Sequence, residues 1–285
     1  MKRIFGFLRI GFIVLFSAGF IYSVIAYISY HGEARSAEAR IDELRGFLII
    51  EEEEITETNF DEYPESVPSD AAPLIHEEIY DPYAEIRPRF RYIHGKNNDI
   101  VGWLRIDGTK IDYPVMLNPD DHLYYDRVNF DRVKDEIGVP YLDGRCTIAP
   151  KNQIQIIFGH NIRRRGLIFH DLTLYEDREF WEQYQFINYD TLYEDAVYQI
   201  FAVIDYDARN VRKSDFQFHR YTHFSTAKTF DNTVHNFEVY REEVKSRSLY
   251  ETGIDFDITD ELLILATCAN NTSNSRVVLF AKKVD

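Results

Sequence analysis

From Ile10 to Tyr30 the chain runs for 21 residues without a charge, as IGFIVLFSAGFIYSVIAYISY. At ~1.5 Å rise per residue such a helix spans the apolar core of a bilayer. A helix packed inside a soluble domain rarely stays apolar on every face for so long. Lys2, Arg3 and Arg9 precede the run. Basic residues favour the cytoplasmic side, so the N-terminus is expected inside and the rest of the chain outside. The rival reading is a cleaved signal peptide, with an apolar region of ~7–15 residues and a small-x-small cleavage site. The length and flanks here favour an uncleaved anchor that uses membrane lipid as a partner.

Charge narrows the function further. The 285 residues carry 32 Lys and Arg against 48 Asp and Glu, a net charge of −16. Without the three basic residues ahead of the anchor the remainder stands at −19. An acidic surface of this kind argues against nucleic acid as a partner, because a phosphate backbone needs concentrated positive charge. At 45% hydrophobic and 15% aromatic, the chain has ample material for a core. Two cysteines exclude a disulfide-stapled scaffold and a four-cysteine zinc site, and no paired ligand spacing calls for a metal or another cofactor.

The expected organisation is a cytoplasmic tail (1–9), the anchor (10–30), a spacer (31–80) and an exported domain (81–285). In the spacer, Ile41, Leu44 and Leu48 recur at helical spacing within Glu33–Ile49. Residues 51–73 hold nine acidic residues, three prolines and no base, the composition of a solvated tether. From Asp81 a helix is expected to run toward His94, with Pro82 in its first turn and Pro88 as a kink or early stop. Residues 102–116, GWLRIDGTKIDYPVM, read as two strands about an Asp107-Gly108 turn. Further strands are expected at Gly138–Leu142, Gln153–Phe158, Val197–Asp205, Glu261–Cys268 and Arg276–Val284. The last two are joined by only seven polar residues and should pair antiparallel. Helices are expected at Asp177–Tyr184 and Asp231–Arg247. Many strands with few helices imply a mainly β, closed or half-closed barrel.

Candidate chemistry gathers at strand ends. Cys268 closes the run LLILATC, where a rigid strand can hold a thiol against a groove. A lone cysteine in an apolar strand is also commonly just a small core residue. Cys146 sits in a turn-like LDGRCTIAP, and a Cys146–Cys268 disulfide is open to an exported chain. Of nine histidines, His160 stands out in FGHNIRRRG, just past a strand. A loop imidazole there can serve as acid or base. His122, His170, His219, His223 and His235 have blander surroundings. Arg276 opens the last strand, eight residues after Cys268, where a guanidinium can stabilise an oxyanion or simply face solvent. Arg163, Arg164 and Arg165 suit either an anionic phosphate or a solvated loop.

Taken together, ILATC (264–268), FGHN (158–161), SRVVLFAKK (275–283) and NNDIVGWLRIDGTKIDYPV (97–115) resemble the sortase family over roughly residues 80–285. The family's Thr-Leu-x-Thr-Cys pattern has Ile264 in place of its first Thr; Leu265, Thr267 and Cys268 match. A helix before the Cys-bearing strand and helices ahead of the barrel are similar to class B, while the spacing from Cys268 to Arg276 is short for that class. The resemblance implies a cysteine transpeptidase with a sortase-like closed β-barrel. Cys268 would be the nucleophile, His160 the proton donor, Arg276 the oxyanion donor and Thr267 a supporting residue. It implies secreted proteins with a C-terminal sorting signal as acyl donors, and a lipid-linked peptidoglycan precursor or a pilin amine as acceptor. A pilin-polymerising sortase, a thiol peptidase and a non-catalytic tethered binding module are the alternatives.

Overall fold

Apolar runs that are buried on both faces need neighbours on both sides, and here they form the seam of a closed sheet. A computed structural model describes residues 15–25, 27, 32, 35–48, 86–207, 216–224, 230–268 and 275–285. The strands are β1 (Ile100–Arg105), β2 (Asp112–Met116), β3 (Tyr141–Leu142), β4 (Ile154–Ile162), β5 (Leu167–Ile168), β6 (Phe186–Thr191), β7 (Val197–Asp207), β8 (Leu262–Cys268) and β9 (Ser275–Lys283). The helices are α1 (Pro88–Lys96), α2 (Arg178–Gln183) and α3 (Phe230–Arg247). The sheet order is β3-β2-β1-β6-β7-β9-β8-β4-β5, and a β3–β4 pairing closes the first eight strands into a barrel.

The parallel pair β4–β8 runs in register from Ile154 opposite Leu262 to His160 opposite Cys268. Leu262, Leu263, Ile264, Leu265 and Ala266 are each no more than 1% exposed. Such continuous burial marks a strand covered on both faces rather than one facing water. β8 then pairs antiparallel with β9, as the short connection between them implies, and β9 pairs with β7.

Local signals set most element ends. Asp177 caps α2 by accepting the Glu179 N–H at 2.9 Å. The β1–β2 connection needs a left-handed residue and has Gly108 at φ 78°. Pro88 begins α1 instead of kinking a longer helix, because its missing N–H costs nothing at the first helical position. Residues 81–85, where an earlier start was expected, lie outside the described residues. The expected strand Gly138–Leu142 shrinks to Tyr141–Leu142, since Gly138 adopts φ 65°. Strand β6 was not anticipated, although its buried Ile187, Tyr189 and Thr191 alternate with less buried positions.

The chain divides into two compact units, Met1–Arg45 and Gly46–Asp285. In the first, residues 15–25 are helical and expose Leu15, Phe16, Phe20, Ile21 and Ile25. Among the described residues no helix is long and apolar enough to cross a membrane. Residues 10–14, 26 and 28–30 of the expected anchor lie outside the described residues, as does the acidic tether. A helix covers residues 35–48, with Ile41 and Leu44 buried.

Candidate active site

Ladder geometry brings three distant sequence positions together. His160 and Cys268 are register partners across β4 and β8. The β8–β9 register pairs Ala266 with Val278, and extending it by two residues sets Cys268 opposite Arg276. Adjacent strands lie ~4.8 Å apart and paired residues share a face of the sheet. The three positions thus lie side by side on β4, β8 and β9 at one end of the barrel. Thr267 pairs with Gly159, is 2% exposed, and accepts the Val277 N–H through its hydroxyl at 3.2 Å. That hydrogen bond ties β8 to β9 next to Cys268, past the last paired residues of their ladder.

The His160 side chain is only 11% exposed. Its Nε2 lies 2.7 Å from the Asp126 carbonyl oxygen and 3.2 Å from Asp126 Oδ1. A carbonyl oxygen only accepts, so Nε2 carries the hydrogen; in the neutral ring Nδ1 is then the basic nitrogen. Asp126 ends a short 3-10 turn, Tyr124–Asp126. Sequence reading missed it, because a carboxylate in an acid-rich loop carries no local mark of its destination.

Arg276 stands opposite Tyr206 of β7. Its Nε is buried and, among the described residues, has no hydrogen-bond partner. The Tyr206 hydroxyl and His219 Nδ1 are also buried without partners. Burial, then the nearby Arg145, hold the His219 imidazole below its ordinary range; Asp143 opposes them and Arg276 adds to them. Phe218 lies over this face, 1% exposed, with its ring 5.0 Å from Tyr206 and 6.3 Å from Phe158. These groups form an aromatic wall with polar atoms left open beside the guanidinium.

Cys146 is a free thiol, 1% exposed, directed at the Ile154 carbonyl at 3.5 Å. Burial pushes it up to about 12, so it is protonated and a poor nucleophile near neutral pH. Arg163 and Arg164 are exposed on the turn between β4 and β5. Among the described residues no three His, Cys, Asp or Glu side chains gather as metal ligands.

Known proteins share this arrangement of chain. Sortase B of Listeria monocytogenes is 30% identical over 202 residues, which cover 70% of this chain and 76% of the relative. The chain belongs to the sortase B family. Sortase B of Staphylococcus aureus is 25% identical over 200 residues, 69% of this chain and 75% of that one. No protein-family model matches the chain. Among solved structures, a Staphylococcus aureus sortase B–substrate complex superposes with TM-score 0.68 at 20% identity, covering 89% of this chain and 98% of that chain. A Bacillus anthracis sortase B gives TM-score 0.59 at 25% identity, over 71% and 87%. The protein is thus a cysteine transpeptidase of the sortase class, built on the barrel its sequence implied.

Proposed function

We propose that this sortase uses Cys268 as its nucleophile, His160 as proton donor and Arg276 as oxyanion donor, with Thr267 supporting the strand that carries the thiol. The observation that carries the reading is the β4–β8 ladder, in which His160 is the partner of Cys268. The thiolate attacks a backbone carbonyl in the sorting motif of a secreted protein, forming a tetrahedral oxyanion. Arg276 and a backbone N–H near Cys268 stabilise that charge, at about 3 kcal/mol per donor. The imidazolium of His160 gives its proton to the leaving amine, and a thioacyl enzyme remains. An incoming amine then takes the acyl group and the thiol is restored. The partnerless Arg276 Nε favours this role, since a buried donor without an acceptor is costly unless a ligand supplies one.

The acceptor in this reading is the amine of a lipid-linked peptidoglycan precursor. Solved relatives hold a substrate in one case and an oligoglycine in another. We place the enzyme in the cell membrane, with residues 10–30 as a single-pass anchor, the N-terminus cytoplasmic and the catalytic domain outside. The exposed apolar side chains of residues 15–25 support an apolar surrounding. Tethering would concentrate enzyme, donor and lipid-linked amine at one surface.

Mass spectrometry of the protein mixed with a library of sorting-type peptides tests the reading. The expected adduct is a thioester on Cys268, discharged to a ligated product by an added amine. An adduct on Cys146, or none with any peptide, overturns the assignment. Hydrolysis alone at saturating amine makes the protein a thiol peptidase instead.

A further inference from the structure

We propose that Asp126 is a positioning residue for the His160 imidazole: its carbonyl and carboxylate oxygens together hold one ring nitrogen and so fix the ring. The proposal rests on the catalytic reading of His160 and adds to it a group outside the three strands. Both oxygens lie within reach of one nitrogen, at 2.7 and 3.2 Å. The carbonyl is uncharged and sets direction. The carboxylate adds a second acceptor at the same nitrogen. With Nε2–H held by Asp126, Nδ1–H is the proton left for the leaving amine.

The turn that presents Asp126 is itself fixed from behind. Tyr125 is 1% exposed and donates its hydroxyl to Asp99 Oδ2 at 2.7 Å, while Asn97 Nδ2 donates to the same hydroxyl at 2.9 Å. Arg132 pairs with Asp99 Oδ1 at 3.3 Å. The Val139 N–H is donated to the Tyr125 carbonyl at 3.1 Å. Gly138 passes so close that a Cβ there would sit 2.6 Å from the Asp126 carbonyl oxygen, the atom that holds His160. Its φ of 65° further disfavours a side chain. A buried tyrosine, an ion pair and a glycine thus converge on one peptide unit.

Asp126 is in contact with the ring. Arg127 Nε lies 3.6 Å from Asp126 Oδ2 on a side chain 56% exposed, so it competes only weakly with His160. Cys268 is the register partner of His160 on β8, and Arg276 lies on β9 two residues beyond the last β8–β9 pair. His170, across the β4–β5 turn, faces away to Asn161 Oδ1 at 2.9 Å. Asp126 is therefore the carboxylate this ring meets.

Acylation of the full chain by a sorting-type peptide that loads the parent protein tests the proposal. His160→Ala is made first; if it acylates normally, the catalytic reading fails and Asp126 with it. Given a dead His160→Ala, Asp126→Asn should acylate about tenfold slower at saturating peptide, with KM changed less than twofold and the melting temperature held, because positioning acts on the reacting ring and not on peptide binding or the fold. Asp126→Glu should recover part of the rate. An unchanged rate in Asp126→Asn overturns the proposal while leaving the His160 role standing. A slower rate that comes with an equal rise in KM or a lowered melting temperature also overturns it, by assigning Asp126 to peptide contact or to structure.

Discussion

The β4–β8 seam and the β7–β8 insertion touch along β4, from Gln153 just ahead of it, beside Phe224, to Phe158 beside Phe218, but they work by opposite means. The seam is backbone: seven register pairs, apolar on both faces, ending at His160 and Cys268. The insertion is side chains: Phe224 packs edge to face on Phe237 and Tyr240, Phe218 packs edge to face on Tyr206, and α3 rides on β7. The seam leaves almost nothing polar unsatisfied at its end, because Thr267 takes the Val277 N–H. The insertion and its neighbours leave His219 Nδ1, the Tyr206 hydroxyl and Arg276 Nε open. One region sets His160 and Cys268 side by side through its register; the other surrounds the neighbouring strands with aromatic side chains.

That contrast can be broken at the sulfur first. Cys268→Ala should abolish thioester formation altogether, while Cys146→Ala should keep the acylation rate within twofold, as read by intact mass. Equal losses from both would erase the distinction between a reactive strand end and a buried thiol.

Next come paired truncations. Leu265→Ala in the seam and Phe218→Ala in the insertion should each cost about 3 kcal/mol of unfolding free energy in urea titrations. Below the transition the folded Leu265→Ala protein should keep its KM, whereas Phe218→Ala should raise it severalfold. A KM change of the same size in both would mean that the seam, too, contacts substrate.

A smaller effect tests the tie between β8 and β9. Thr267→Val keeps the volume but strands the Val277 N–H, and should cost about 1–2 kcal/mol. Stability equal to the parent would show that the hydroxyl is dispensable.

The smallest effect is in pH. The folded state holds His219 below its ordinary range, so the unfolded chain binds a proton there more readily. The stability His219 contributes is present above the unfolded value of ~6.5 and is lost as pH falls from there toward the depressed folded value. Asp143, held low by Arg145 against the opposing effect of burial, loses its share only below the ordinary carboxylate range. His219→Gln should therefore flatten the melting temperature between pH 7 and 5 and leave the acid limb unchanged.

The same two regions differ in how far they could be read beforehand. The seam was legible in part, from a continuous apolar run ending in Thr267-Cys268, a strand expected to stop at Phe158 just ahead of a loop-borne His160, and a short polar connection to Arg276; the strand in fact runs on to Ile162 and carries His160 within it. The Asp231–Arg247 helix was legible too, from its apolar stripe. Asp126 and Tyr206 were not, because their roles come from pairings across 34 and 70 residues of chain that no local pattern records. His219 looked like any histidine in an insertion until Phe218 beside it was seen buried. Strand β6 was within reach through its alternation of buried and open positions, and Pro88 was misjudged because the helix begins there.

The β3–β4 pairing that shuts the barrel has a consequence for how a peptide is gripped. Among the described residues eight strands make the ring, but the closure is thin: β2 meets β3 only at Met116 and Tyr141, and β3 meets β4 at two pairs. An extended visitor has less free ladder to join on such a ring than on an open sheet, which shifts the work of discrimination toward side chains and loop amides. The same ring leaves neighbouring copies less edge on which to stack than an open sheet of this many strands would.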